Sequence, residues 1–238
     1  ISGLYPLLDG QAEYFRSPET DRLHPNTPGQ LRMAWALAYQ LLGYPARFPK
    51  YLALSFDNGP NTVTTPKVLD ILEENGVPAS FFVCGKNIDK STAKVMRRAL
   101  QLGCDIENHS FSHSHISRLS EEQIRDEVGR TDALIEKYTG SAPRFFRPPY
   151  IDHNELMHKT IGHTFICGVG ADDWKKDVDA ATRARLILDN VKDGDIIQLH
   201  DVEGNDATVE ALKTVIPELK SRGFEFVTVP QLFDQVRG

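Results

Sequence analysis

Five short segments of this sequence put ionisable side chains directly after an apolar run: SFDNG (55–59), HSFSH (109–113), RPPY (147–150), DDW (172–174) and QLHD (198–201). In chain order they supply a carboxylate, two histidines, an arginine, further carboxylates and a last histidine. His109 and His113 stand at i and i+4. On a helical turn that spacing puts both imidazoles on one face, as a two-histidine metal site requires. A carboxylate that takes a proton from water and a histidine that returns one complete the needs of metal-assisted hydrolysis.

Taken singly, each residue also has a plainer use. His113 could be a surface residue beside His115, and Asp57-Asn58-Gly59-Pro60 is also good turn chemistry. Arg147 could be a loop cation, and Asp173-Trp174 a loop acid beside a core aromatic. His200 has fewer plain uses, since it closes the apolar run IIQL. Pro148 and Pro149 stiffen the turn after Arg147, which suits an arginine that must hold a carboxylate in bidentate geometry.

The elements that must carry these residues alternate. The apolar runs 51–56, 79–83, 104–108, 144–146, 163–168, 195–199 and 224–229 are seven candidate strands. Between them lie helices with clear punctuation. Pro66 starts one and Gly76 ends it; Ser91 caps the next and Gly103 stops it. A capping box from Ser120 to Gln123 opens the helix that follows. Helices 179–194 and around 209–223 separate the last three strands. Strict alternation predicts a parallel sheet with right-handed crossovers, here a distorted, incomplete (β/α)7 barrel. Strand ends then gather at one rim, where such folds build their sites.

Residues 1–48 differ, with Pro6, Pro18, Pro25 and Pro28 and one predicted helix from Pro28 to Gly43, capped by Thr27. They read as an N-terminal helical and loop extension packed on a main domain of residues 49–238. The 238 residues are 40% hydrophobic and 25% charged, a globular balance, and the net charge of −6 without a Lys/Arg stripe argues against nucleic acid. No apolar run reaches membrane-spanning length. The chain begins at Ile1 rather than Met, consistent with processing or trimming and with a lost signal peptide. Three cysteines, Cys84, Cys104 and Cys167, form no metal motif and are expected to be buried thiols.

Taken together and in this order, the motifs resemble carbohydrate esterase family 4, the polysaccharide deacetylases, over roughly residues 50–236. The family's Thr-Phe-Asp-Asp-Gly is here Ser-Phe-Asp57-Asn58-Gly, and His109-Ser-Phe-Ser-His113 and Arg147-Pro-Pro149-Tyr150 match intact. Asp173-Trp174 keeps the end of a fourth motif, with Gly170 at its first position, and Ile197-Gln-Leu199-His200 meets the Leu-x-His motif loosely.

The resemblance implies a secreted, monomeric, metal-dependent deacetylase of an acetylated polysaccharide or oligosaccharide. It implies a divalent ion, Zn²⁺ first, with Co²⁺, Ni²⁺ or Mn²⁺ as substitutes, held by position 58, His109 and His113. Asp57 is then the general base, oriented by Arg147, and His200 the general acid, kept protonated by Asp173. The Tyr150 N–H completes an oxyanion hole, and Trp174, Leu199, Pro149 and Tyr150 contact substrate. The C-terminal third looks most like the clostridial acetylxylan esterase branch; chitin oligosaccharide and peptidoglycan deacetylases share the motifs.

Position 58 departs from the family. Asn58 stands where an aspartate completes the ligand triad, keeping the shape and one oxygen but losing the charge, so metal affinity should fall while Asp57 is untouched. Three readings stay open: a natural variant with weaker metal binding, a deliberate isosteric substitution, or a chain that lost catalysis and kept carbohydrate binding. An unrelated barrel amidohydrolase fits less well, because it would need a His-x-His pair after the first strand and SFDNG has no histidine.

Overall fold

The computed structural model of the chain describes residues 15–17, 21–25 and 50–237. The chain divides into two compact units, residues 1–50 with 231–238, and residues 51–230. In the first, β1 (Phe15–Ser17) and β2 (Asp21–Pro25) pair antiparallel. The helix predicted from Pro28 to Gly43 lies outside the described residues.

The second unit alternates strand and helix as the punctuation predicts. β3 (Lys50–Asp57) leads to α1 (Thr64–Asn75), β4 (Ser80–Val83) to α2 (Thr92–Gln101), and β5 (Asp105–Asn108) to α3 (Glu121–Thr139). β6 (Phe145–Phe146) precedes α4 (Glu155–Thr160), and β7 (Thr164–Phe165) and β8 (Val169–Gly170) precede α5 (Ala180–Asn190). β9 (Ile196–His200), α6 (Asp206–Ser221) and β10 (Phe224–Val227) complete it. The Ser120–Gln123 capping box forms, and Gly76 and Gly140 end their helices in the left-handed conformation. Ser91 makes no side-chain cap; the Asp89 carboxylate accepts the N–H groups of Ser91 and Thr92 instead, being a better acceptor than a hydroxyl.

The sheet runs β7-β6-β5-β4-β3-β9-β8, with β10 also paired to β3. Every pair along that path is parallel. The expected distorted, incomplete barrel is the architecture found, but the run 163–168 is not one strand. It splits into β7 on one edge and β8 on the other, so the sheet has eight strands. Only Ile166, Cys167 and Gly168 separate them. Four extended residue steps reach about 14 Å, so the two edges curl to within that distance. Gly168 is required at the crossing: a Cβ there would stand 2.6 Å from the Ile196 carbonyl oxygen and 2.9 Å from Gln198 Cβ. The same crossing leaves Cys167 exposed, against the expectation of a buried thiol, while Cys84 and Cys104 are buried.

Both faces of β3 are covered, as parallel strands require. Leu52, Leu54 and Phe56 join α1 and α6 in the main core with Ile197 and Leu199 of β9. The alternate residues, Ser55 and Asp57, take the opposite face. There they meet Arg147.

Candidate active site

The C-terminal ends of β3, β5, β6 and β9 surround a cavity of about 620 Å³ lined by Asp57, Asn58, His109, His113, Tyr150, Asp173, Trp174 and His200. The backbone there is unusual. Asn58, Ser110, His113, Tyr150, Ile151 and Asp172 all have φ between 54° and 75°, and they are the non-glycine residues of positive φ among those described. Each such conformation costs about 1–2 kcal/mol in an L-residue, and strain of this kind persists where the surroundings over-determine it.

Asp57 is 1% exposed and held on both oxygens. Arg147 Nη1 donates to its Oδ1 at 2.6 Å, and Gln198 Nε2 donates to its Oδ2 at 2.9 Å. Arg147 is wholly buried, with its guanidinium 4.0 Å from the centre of the Phe82 ring. The expected bidentate clamp does not form: Nη1 is shared between Asp57 and Ser55 Oγ, and Nε and Nη2 have no hydrogen-bond partner among the described residues. Burial pushes the Asp57 carboxyl up, but the Arg147 charge and hydrogen bond, with the charge of His200, outweigh it and hold the group below its ordinary range.

His109 and His113 do not lie on a helix. They bracket a loop whose left-handed residues fold the chain back, bringing the ring centres to 5.0 Å. Helix α3 fixes this loop: the Glu127 carboxylate accepts the N–H groups of Phe111 and Ser112, and Asn108, itself bonded to Asp132, accepts that of Ser110. His109 Nδ1 lies 2.7 Å from the Arg147 carbonyl, so it carries the proton, leaving Nε2 free of it. Burial pushes the His109 imidazole down to about 4 and lowers His113 as well, so both are neutral, the ligand form.

A third group in the cavity is an amide. Asn58 Oδ1 is buried with no hydrogen-bond partner among the described residues. Among those residues no three His, Cys, Asp or Glu side chains are arranged to hold a metal ion. Two neutral imidazoles and one orphaned amide oxygen fit a divalent ion, with less charge than a carboxylate would bring.

Across the cavity, His200 Nδ1 meets Asp173 Oδ1 at 2.7 Å, and the His200 backbone N–H donates to Oδ2 of the same carboxylate. Burial pushes the imidazole down, but the Asp173 hydrogen bond and charge, with the charge of Asp57, raise it above its ordinary value.

The remaining expected residues divide. Tyr150 and Trp174 are 59% and 67% exposed on the cavity rim, and Tyr150 stacks on His115, which pairs with Asp152. Leu199 is instead 1% exposed in the core, because a residue next to His200 on a strand faces the other way; it does not line the cavity. Gln198 faces the site in its place, and sequence reading missed it, although two positions before His200 on one strand is the signal. Pro149 is buried and Pro148 lines the cavity instead.

Residues 46–166 match the polysaccharide deacetylase family profile. A bifunctional xylanase/deacetylase of Pseudobutyrivibrio xylanivorans is 42% identical over 78% of this chain and 31% of its own length. A peptidoglycan-N-acetylglucosamine deacetylase of Bacillus cereus is 36% identical over 76% of this chain and 68% of its own. The chain thus spans about a third of the first relative and about two thirds of the second. A family 4 acetyl xylan esterase of Clostridium thermocellum, solved with a cobalt ion, is 43% identical and superposes with a TM-score of 0.76, covering 78% of this chain and 91% of that one. A Bacillus anthracis protein described as a family pseudoenzyme is 26% identical with a TM-score of 0.71, over 79% of this chain and 66% of that one. The chain belongs to the polysaccharide deacetylase family.

Proposed function

We propose that the chain is a metal-dependent hydrolase that removes acetyl groups from a polysaccharide, acetylxylan first. One observation carries this reading. A carboxylate held below its ordinary pKa stands in register beside an imidazole held above its own, at a cavity that also holds two neutral imidazoles. Environments that push two titratable groups apart in this way assign a base and an acid.

A divalent ion on Asn58, His109 and His113 would polarise the acetyl carbonyl and lower the pKa of its water. Asp57 takes the proton from the attacking water, its carboxylate aimed by Arg147 and Gln198. His200 delivers a proton to the departing sugar oxygen, and Asp173 keeps that proton in place. The Tyr150 N–H, set by a left-handed backbone, donates to the developing oxyanion. Trp174 and the Tyr150 ring offer exposed aromatic faces to the sugar chain, and Zn²⁺ is the expected metal. Residues 49–238 form the catalytic domain, residues 1–48 its extension, and the protein acts as a secreted monomer.

The test is acetate release from acetylated xylan and chitin oligosaccharides, comparing the chain with Asn58→Asp, with Zn²⁺ or Co²⁺ and with chelator. Fast, chelator-sensitive release from xylan by the aspartate form supports the reading. Faster release from chitin or peptidoglycan fragments would move the substrate to an N-acetyl glycan, as in the B. cereus relative. Asn58 also favours a second reading, a catalytically impaired carbohydrate binder. It predicts glycan affinity without turnover in either form.

A further inference from the structure

In the wall of the cavity, on its acid side, lies a buried cation to which the reaction above gives no part. Arg183, on α5, is 3% exposed, although its neighbours in the sequence, DAATRARL, read as a solvated helix face. Each of its three nitrogens donates. Nε donates to the Val178 carbonyl at 2.9 Å, Nη2 to the Lys175 carbonyl at 3.0 Å, and Nη1 to both Asn205 Oδ1 at 2.6 Å and Thr208 Oγ1 at 2.8 Å. Each of the two side chains then reaches the acid pair. Thr208 Oγ1 donates to Asp173 Oδ2 at 3.0 Å, and Asn205 Nδ2 donates to the His200 carbonyl at 2.8 Å.

We propose that Arg183 is a positioning residue that sets the orientation of the His200–Asp173 pair through Asn205 and Thr208. The planar, rigid fork of a guanidinium ties three separate segments to one point: the loop 175–178 that follows Asp173, the turn at Asn205, and the first turn of α6. Asn205 and Thr208 each have their acceptor oxygen taken by Arg183, so each must present its donor to the acid pair. This fixes which way the two polar groups point. The same loop carries Trp174, so the aromatic rim and the acid share one anchor. Without Arg183 the acceptors of Asn205 and Thr208 and two loop carbonyls lose their buried donor, and Asp173 is no longer held in the plane that meets both His200 Nδ1 and its backbone N–H.

The inference rests on the role of His200 as acid, and its test separates the two claims. Arg183→Met, Arg183→Lys and Thr208→Val are compared with the chain and with Arg185→Met, an exposed arginine on the same helix. Two esters are used with added Zn²⁺: acetylated xylo-oligosaccharide, whose alkoxide must be protonated as the C–O bond breaks, and an aryl acetate, whose phenolate leaves without help. The expected result is a fall of about 10-fold or more in kcat on the sugar ester, with less than about 2-fold on the aryl ester, for Arg183→Met. Arg183→Lys recovers part of the loss, and Thr208→Val shows the same imbalance more weakly. A parallel fall on both esters means lost active protein, and it overturns the proposal. The His200 Nδ1 proton resonance, assigned by difference with His200→Gln, is the second readout. It is expected to broaden by exchange in Arg183→Met and Thr208→Val while the dispersion of the spectrum is kept; an unchanged resonance overturns the proposal. If the chain and Asn58→Asp hydrolyse neither ester, the deacetylase reading fails, and the resonance alone still decides the role of Arg183.

Discussion

Asp173 grips His200 at two points, the ring Nδ1 and the backbone N–H, both at 2.7 Å, so a single carboxylate sets the rotation of the imidazole as well as its charge. The second bond matters because a ring held only at Nδ1 could swing about that contact. With the backbone also fixed, Nε2 keeps one direction into the cavity.

The pH profile follows from the sign of this pairing. The acid must be protonated, and His200 is raised above its ordinary value of about 6.5, so the alkaline limb of kcat/KM should lie above that value. In Asp173→Asn the raising causes are weakened and burial, which lowers the imidazole, gains. The limb should then move to lower pH, and kcat should fall by about 10²- to 10⁴-fold. Rates from pH 5 to 9 on an acetylated oligosaccharide check this; an unmoved limb refutes it.

The buried ion pair of Asp57 and Arg147 predicts a large stability effect. Arg147→Met leaves Asp57 buried beside no cation and should cost about 3–5 kcal/mol at pH 7. Because the folded Asp57 pKa is depressed, the stability it contributes is present above the unfolded value of about 3.9 and is lost as pH falls through the folded one. The penalty of the variant should therefore shrink in acid. Urea unfolding at pH 7 and pH 3 measures both; equal penalties would contradict the pairing.

Metal should stabilise the fold by mass action. Excess Zn²⁺ at about 100 times its dissociation constant adds about 2.7 kcal/mol. Thermal melts should show a Zn²⁺-dependent rise that His109→Ala abolishes and that Asn58→Asp brings on at a lower metal concentration. Identical midpoints for the chain and Asn58→Asp would mean that position 58 holds no metal.

Gly168→Ala should cost about 1–3 kcal/mol by overpacking, since its Cβ meets the Ile196 carbonyl and Gln198 Cβ within 3 Å. Gln198 also donates to Asp57, so acetate release should fall beyond what the lost stability explains. Normal turnover at full occupancy of the folded state would separate the crossing from the site.

Much of this was legible in residue types and spacing. Apolar runs bounded by Gly and Pro mark their strands because a buried parallel strand has no polar face to confuse the pattern, and the capping box names its helix directly. Asp57, His109, His113, Arg147, Asp173 and His200 could be named because they come as one ordered set; taken singly, only His200 had few plainer uses. What stayed hidden depends on direction or distance. Leu199 and Gln198 exchange roles through strand parity. The run 163–168 divides because the sheet curls, which no local propensity records. The left-handed backbone at Asn58 and His113 is imposed by packing, and Arg183 looks like a surface cation until α6 arrives against it.

The three-residue crossing from β7 to β8 has a mechanical meaning. Tyr150 follows β6, next to the β7 edge, and Trp174 follows β8, the other edge; both stand on the rim of the cavity. A sheet left open at its edges could breathe like a clasp and vary the gap between them. Here a covalent strap of fixed reach joins the two lips, so that gap is gauged by the chain itself. Lengthening the strap by one residue would loosen the spacing of the two rim aromatics and leave Asp57 and His200, paired in register on β3 and β9, where they are.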